Sequence, residues 1–181
     1  FDLKPLGLRL FGTPGSGSLR ADFSAAVPSY RLDYSLKQFP IEEFFRTASL
    51  KKLATGRMDF SATLTSHGTS PKELRQAMAG QVSLRGKDLS FIGSDLDAAF
   101  ERFESSQTFS LVDVGAVFFA GPLGLLVTKG YDFANLAQGS DGSSEIRTLV
   151  SDWKVEHGVA HAQDVAMATT QNRIALQGGL D

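Results

Sequence analysis

The sequence predicts an α+β fold: a curved antiparallel sheet, groove-like in character, with short amphipathic helices and an apolar helical or loop segment near residues 111–127. Three observations lead there. Several stretches alternate apolar and polar residues with a period of two, the mark of strands with one wet face. Short helix signatures follow such stretches, which places helices on one face or at the ends of a sheet. The composition supports a core: of 181 residues, 42% are hydrophobic, 18 are glycine and 21% are charged. A chain with that much apolar surface to bury is not disordered as a whole.

Charge and residue usage narrow the function. Eighteen basic against 20 acidic residues leave a formal charge of −2, so nothing draws the whole chain to a nucleic-acid backbone. The absence of cysteine removes disulfides, thiolate nucleophiles and Cys-based zinc sites. Phenylalanine is in surplus, 14 against 3 Tyr and 1 Trp. Its ring has no polar handle, so these side chains suit a core, a groove or an apolar ligand.

Residues 3–11 alternate loosely. Gly12 to Ser18, rich in Gly, Pro and Ser, reads as a turn-rich, flexible loop. It lacks the GK[ST] ending of a phosphate-binding loop. Residues 19–27 and 30–36 alternate as half-buried strands, the second with Tyr30, Leu32, Tyr34 and Leu36 on one side. Pro40, followed by Glu42 and Glu43, suits the first turn of a short helix, where the free N–H groups favour negative charge. Ile41, Phe44 and Phe45 would share its buried face. In residues 53–66, Met58, Phe60, Ala62 and Leu64 alternate. Ser70-Pro71-Lys72-Glu73 then supplies an N-cap, a proline at the first helical position and a capping glutamate, opening a helix over Pro71–Met78.

Val82 and Leu84, then Leu89 and Phe91, suggest short strands split by Gly86-Lys87-Asp88. A second helix is expected over Leu96–Phe103. The unit of strand, turn and short helix therefore appears twice, with a weaker copy over Tyr30–Phe45. Segment 111–127 is apolar throughout except for Asp113. Seventeen helical residues would span about 25 Å, near the lower limit for a hydrocarbon core of about 30 Å, and Gly121, Pro122 and Gly124 interrupt its second half. It reads as a buried helix followed by a strand or loop, as a surface meeting lipid, another apolar ligand or a membrane partner, or as a membrane span. Residues 131–145 form a polar connector. Residues 146–156, 159–168 and 173–176 form a strand meander turning at His157-Gly158 and near Asn172, with Trp153 packed against the sheet. The chain reads as one β-rich domain or domain fragment over 1–181, with strands and a short helix in 1–50 and the remainder in 51–181. Its two ends read as cuts inside a longer protein.

Catalytic signatures are weak. His157 and His161 stand four apart, but Gly158 and the alternation after it favour two strands across a turn over a metal-binding helix face, and EHGVAH is not HExxH. The carboxylates are scattered, and no GxSxG or Ser-x-x-Lys signature is present. Lys51-Lys52 with Arg46 makes a small basic patch at a helix-to-strand junction. No catalytic residue, cofactor or metal is expected.

The run Ala54–Gly93, with Gly80, Val82, Ser83, Leu84, Asp88 and Leu89 in a G-x-V-S-L-x-x-x-D-L stretch, resembles the C-terminal region of the AsmA family. Ser94 through Phe103, Phe109–Ala134 and Ile146–Asp181 are similar to that region as well, so the resemblance covers about residues 50–181. It implies a periplasmic domain of a large, inner-membrane-anchored envelope protein of Gram-negative bacteria. It further implies a part in outer-membrane homeostasis through a bridge-like groove for phospholipid or another apolar ligand, with an envelope protein as a further partner. Candidate lipid-facing residues are Phe60, Leu64, Leu84, Phe91, Phe118, Phe119, Leu123 and Leu125, each with ordinary core packing as its alternative. A scaffold domain that docks a partner, or a cell-envelope hydrolase with a polar cleft, are the competing classes.

Overall fold

The computed structural model describes residues 1–47, 54–92, 143–176 and 179–180. Its strands form one antiparallel sheet. β1 (Asp2–Leu10), β2 (Thr13–Asp22), β3 (Ser29–Pro40), β4 (Ala54–His67), β5 (Ala79–Ile92), β6 (Ser143–Glu156), β7 (Val159–Ala168) and β8 (Arg173–Leu176) lie side by side in chain order. The short β9 (Gly179–Leu180) pairs with β7 beyond the reach of β8. Eight strand positions at the usual spacing span roughly 34 Å. Two helices accompany the sheet: α1 (Ile41–Thr47) after β3 and α2 (Pro71–Gln76) after β4. This is the curved antiparallel α+β architecture that the alternation predicts. The sheet runs without interruption across the division at residue 50.

Both helices begin as their sequences dictate. In α1, Ile41, Phe44 and Phe45 are buried, Glu42 and Glu43 occupy the first turn, and Arg46 pairs with Glu43 at 2.6 Å. In α2, the Ser70 hydroxyl accepts the Glu73 N–H, and the Glu73 carboxylate accepts the Thr69 N–H at 2.7 Å. The helix ends at Gln76, two residues before the expected Met78. There the Met78 carbonyl accepts the Gly158 N–H at 3.0 Å, which ties the helix end to the β6–β7 turn. That turn is His157-Gly158, both at positive φ, and it joins two strands as expected.

Four expectations need correction. Gly12–Ser18 is not a flexible loop. The chain turns at Phe11-Gly12, both at positive φ, and Thr13 already begins β2. The glycines have a packing reason: a Cβ on Gly15 would collide with the Tyr34 ring, and one on Gly17 with the Asp33 carbonyl. The Tyr34 side chain thus lies across β2 and donates its hydroxyl to the Leu8 carbonyl at 3.2 Å. Second, the strand of residues 19–27 stops at Asp22, and Phe23–Pro28 form the loop to β3. Third, Gly86-Lys87-Asp88 does not split two short strands, because β5 runs unbroken for 14 residues. Ser143–Glu145, expected in a connector, begin β6. The helix at Leu96–Phe103, the Lys51-Lys52 patch, the segment 111–127 and most of the polar connector lie outside the described residues.

A crease crosses the sheet at the level of those misread residues. β3 carries an irregularity between Leu36 and Phe39, because three steps along β3 match two along β4, from Phe60 to Met58. β5 does the same between Lys87 and Ser90, where three steps match two along β4, from Arg57 to Thr55. β6 follows β5 in unbroken register, with Leu149 opposite Gly86 and Ile146 opposite Leu89. Each of the three strands thus sets two exposed residues between inward-facing ones: Lys37-Gln38, Lys87-Asp88 and Arg147-Thr148. Gln38 and Asp88 adopt positive φ, as residues in bulges do. β4 passes through in phase, with Gly56 at φ 126° where a Cβ would press on Leu89.

The core gathers at this crease. Leu36, Phe39, Phe44, Phe45, Met58, Leu89, Ile146 and Leu149 are among the largest fully buried side chains. The Phe11 ring sits 5.4 Å from both Phe39 and Phe44, edge-on to the latter. Phe39→Ala should therefore lower unfolding free energy by about 3–5 kcal/mol, read by urea denaturation, whereas Phe1→Ala should change it by less than about 0.5 kcal/mol.

Candidate functional site

Residues directly opposite one another in an antiparallel pair share a face, so the register sorts the side chains. Leu19, Leu32 and Leu64 form one cross-strand row, Tyr34, Ala62, Val82, Trp153 and Ala162 a second, and Leu36, Phe60, Leu84, Ser151 and Val165 a third. All lie on one apolar face. Trp153, buried against the sheet as expected, donates its indole N–H to Ser151 at 2.7 Å. The opposite face carries Arg20, Arg31, Asp33, Asp59, Thr63, Arg85, Asp152 and Lys154.

Burial of the apolar face is graded. Near the crease it is complete except at Phe60, which is half-buried. Toward the β1 end it is not: Leu64 on β4, Leu32 on β3 and Leu19 on β2 are only half-buried. β1 continues the face to the sheet edge, because Leu3 opposes Leu19, Leu6 opposes Gly17 and Leu8 opposes Gly15. Leu6 is buried, but Leu3, Leu8 and Leu10 are 40, 47 and 39% exposed, and Phe1, paired with Ala21 through both backbone bonds, is 72% exposed. Phe23 stacks edge-on against Tyr30 at 6.0 Å just beyond the same end. The outcome is an apolar surface dry at the crease and open at the first three strands.

Of the eight candidate lipid-facing residues, Phe60, Leu64, Leu84 and Phe91 all fall on the apolar face. Leu84 and Phe91 belong to the buried core, while Phe60 and Leu64 are half-buried. Phe118, Phe119, Leu123 and Leu125 lie outside the described residues. Sequence reasoning missed the most exposed part of this face, namely Leu3, Leu8, Leu10, Leu19 and Leu32. Their signal was the alternation in residues 3–11, 19–27 and 30–36, which is loose in the first of these.

Two depressions on the polar face bear on function. One, about 320 Å³, lies beside Arg20, Tyr30, Arg31 and His67. There Asp22, Ser29 and His67 stand opposite one another on three successive strands. This row is no catalytic relay, since the serine stands between the other two and the Asp22 carboxylate accepts the Ser24 N–H at 2.9 Å. The other depression, about 530 Å³, sits over the crease and is lined by Gln38, Arg57, Asp59, Arg85, Lys87, Asp88 and Thr148 among others. Among the described residues, no three His, Asp or Glu side chains group as a metal site, and no helix is long and apolar enough to cross a membrane. No family model, curated protein or solved structure matches the chain.

Ion pairs order the polar face. Arg85 meets Asp152 at 2.5 Å, and the Ser83 hydroxyl donates to the same carboxylate at 2.6 Å. Asp59 accepts the Gln38 backbone N–H at 2.8 Å and the Lys37 ammonium at 3.3 Å. Burial alone would raise the Asp59 carboxyl. The Gln38 N–H, the Lys37 ammonium and the Gln38 side-chain amide outweigh it and hold the group below its ordinary value. Glu73 is held low by the Thr69 N–H and hydroxyl, and Glu156 by Lys154. A depressed carboxyl contributes stability that is complete above its unfolded value and lost as pH falls through its folded value. Thermal melts from about pH 7 to about pH 2 should therefore fall at the acid end. Asp59→Asn should flatten part of that limb, and a limb of unchanged steepness would remove Asp59 from the account.

Proposed function

We propose that this chain is a non-enzymatic segment of a lipid-transfer groove in a bacterial cell envelope, periplasmic and part of an inner-membrane-anchored protein that supports outer-membrane homeostasis. The observation that carries the reading is the graded apolar face: a sheet dry at its crease and open along Leu3, Leu8, Leu10, Leu19, Leu32 and Leu64. A curved sheet with one apolar and one charged face suits an acyl chain, which gains about 25 cal/mol per Å² removed from water and requires no hydrogen-bond partner. The resemblance of residues 50–181 to the AsmA C-terminal region points the same way.

A scaffold reading draws on the same edge. β1 has a neighbour on one side only among the described strands, and an edge strand with exposed leucines is a template for a partner's strand. The two readings separate on what the leucines hold. Native mass spectrometry of the gently extracted protein, with lipid identification, should find bound phospholipid. Leu8→Asp and Leu64→Asp should each abolish it while the circular dichroism spectrum stays native, because neither side chain is in the dry part of the core. Leu84→Asp is the unsuitable variant, since that residue is buried and the substitution unfolds the sheet. A lipid-free mass with no uptake from added liposomes overturns the groove reading and favours the scaffold.

A further inference from the structure

The geometry points to a binding site for a phosphoryl anion in the depression over the crease, on the face opposite the leucines and independent of the groove reading. Four successive strands each bring a cation to the crease: Lys37 on β3, Arg57 on β4, Lys87 on β5 and Arg147 on β6. Arg57 and Lys87 stand directly opposite each other, and Thr148 opposes Lys87 on the next strand. Like charges directly opposite across a ladder repel. The same sheet shows how such a pair is normally relieved: Arg20 opposes Arg31, and each has its own carboxylate, Asp2 at 2.9 Å and Asp33 at 3.0 Å. Among the described residues, neither Arg57 nor Lys87 is paired with a carboxylate. Among those residues Arg57 donates to the Gln38 carbonyl, at 2.8 Å.

Two carboxylates line the same depression. Asp59 is occupied by Lys37 and Gln38, and Arg85 beside it is taken by Asp152. Asp88 holds a positive φ on the β5 bulge and would repel an anion. Non-glycine residues in that conformation cost free energy, and here both of them in the crease, Gln38 and Asp88, line the same depression. What remains is an open pair of cations with the Thr148 hydroxyl in the same row. A group of two negative charges and several acceptor oxygens fits that set: Arg57 binds it by its planar fork, Lys87 as a point charge and Thr148 as a neutral donor. A phosphate monoester in solution and the headgroup of an anionic membrane both present this chemistry.

Titration calorimetry of the intact chain with inorganic phosphate, and co-sedimentation with phosphatidylcholine vesicles containing phosphatidic acid, distinguish the two sources. Saturable phosphate binding assigns a soluble ester; binding to the vesicles alone assigns a headgroup. In either case Arg57→Gln with Lys87→Gln should weaken binding about tenfold or more, and Asp88→Asn should tighten it. The double variant should melt no lower than the parent chain without ligand, because it relieves a like-charge pair. Binding in neither assay, or binding unchanged in the double variant, overturns the site. Lipid retention by the leucine face is scored separately by mass, so failure of one reading leaves the other standing.

Discussion

A sheet with one apolar face keeps its meaning only while every strand keeps its phase. In this molecule three strands lose phase and recover it together. The extra residue on β3 falls beside Asp59 of β4, the matched extra residues on β5 and β6 fall three residues further along beside Gly56, and β4 passes between them on that glycine. Without that coordination Phe39, Leu89, Phe91 and Ile146 would turn to the charged side, because a slip of one residue exchanges the faces. The crease therefore does more than bend the sheet. It sends the largest side chains on both sides of the bend into one core, and α1 adds Phe44 and Phe45 to it.

The same device concentrates charge. An inserted residue on a half-wet strand has to face solvent, and here the inserted pairs are Lys37-Gln38, Lys87-Asp88 and Arg147-Thr148. Apolar packing beneath the bend and basic side chains above it are two results of one geometric event. Asp59 belongs to it as well: its carboxylate takes the Gln38 N–H that the bulge releases from the ladder, so a buried-side irregularity is satisfied by a polar-face group.

Away from the crease the sheet changes character. β2 gives up side chains at Gly15 and Gly17, and Tyr34 covers the gap by reaching to the Leu8 carbonyl. An aromatic ring laid over strand glycines restores packing that the glycines forgo. It also holds β1 to the sheet through a side chain as well as through the ladder, which lets β1 present Leu3, Leu8 and Leu10 at an open edge. The exposed leucines and the dry core are thus ends of one continuous face.

Local chemistry alone determined much of this. The alternation of Met58 to Leu64, the cap at Ser70-Pro71-Lys72-Glu73, the buried face of Ile41, Phe44 and Phe45, and the meander after residue 146 were legible because each depends on neighbours within a few residues. The alternation that puts Phe60 and Leu64 on one side of β4 was legible for the same reason, whereas the common face of Leu84 and Phe91 depends on the bulge between them. Two features were not. Gly12–Ser18 has the composition of a loop, and only pairing with β1 and β3, with the Tyr34 ring packed over Gly15, makes Thr13–Ser18 a strand. Leu36-Lys37-Gln38-Phe39, Gly86-Lys87-Asp88-Leu89 and Ile146-Arg147-Thr148-Leu149 share a pattern of inward, basic, polar and inward residues. A single chain segment with that pattern reads equally as a break or as a bulge. Tertiary structure decided for the bulge, because hydrogen bonding to neighbouring strands carries the backbone through and only the register between strands fixes where the extra residue goes. For the same reason the sequence could not say that Arg57 faces Lys87, thirty residues away, across a ladder that exists only in the folded sheet.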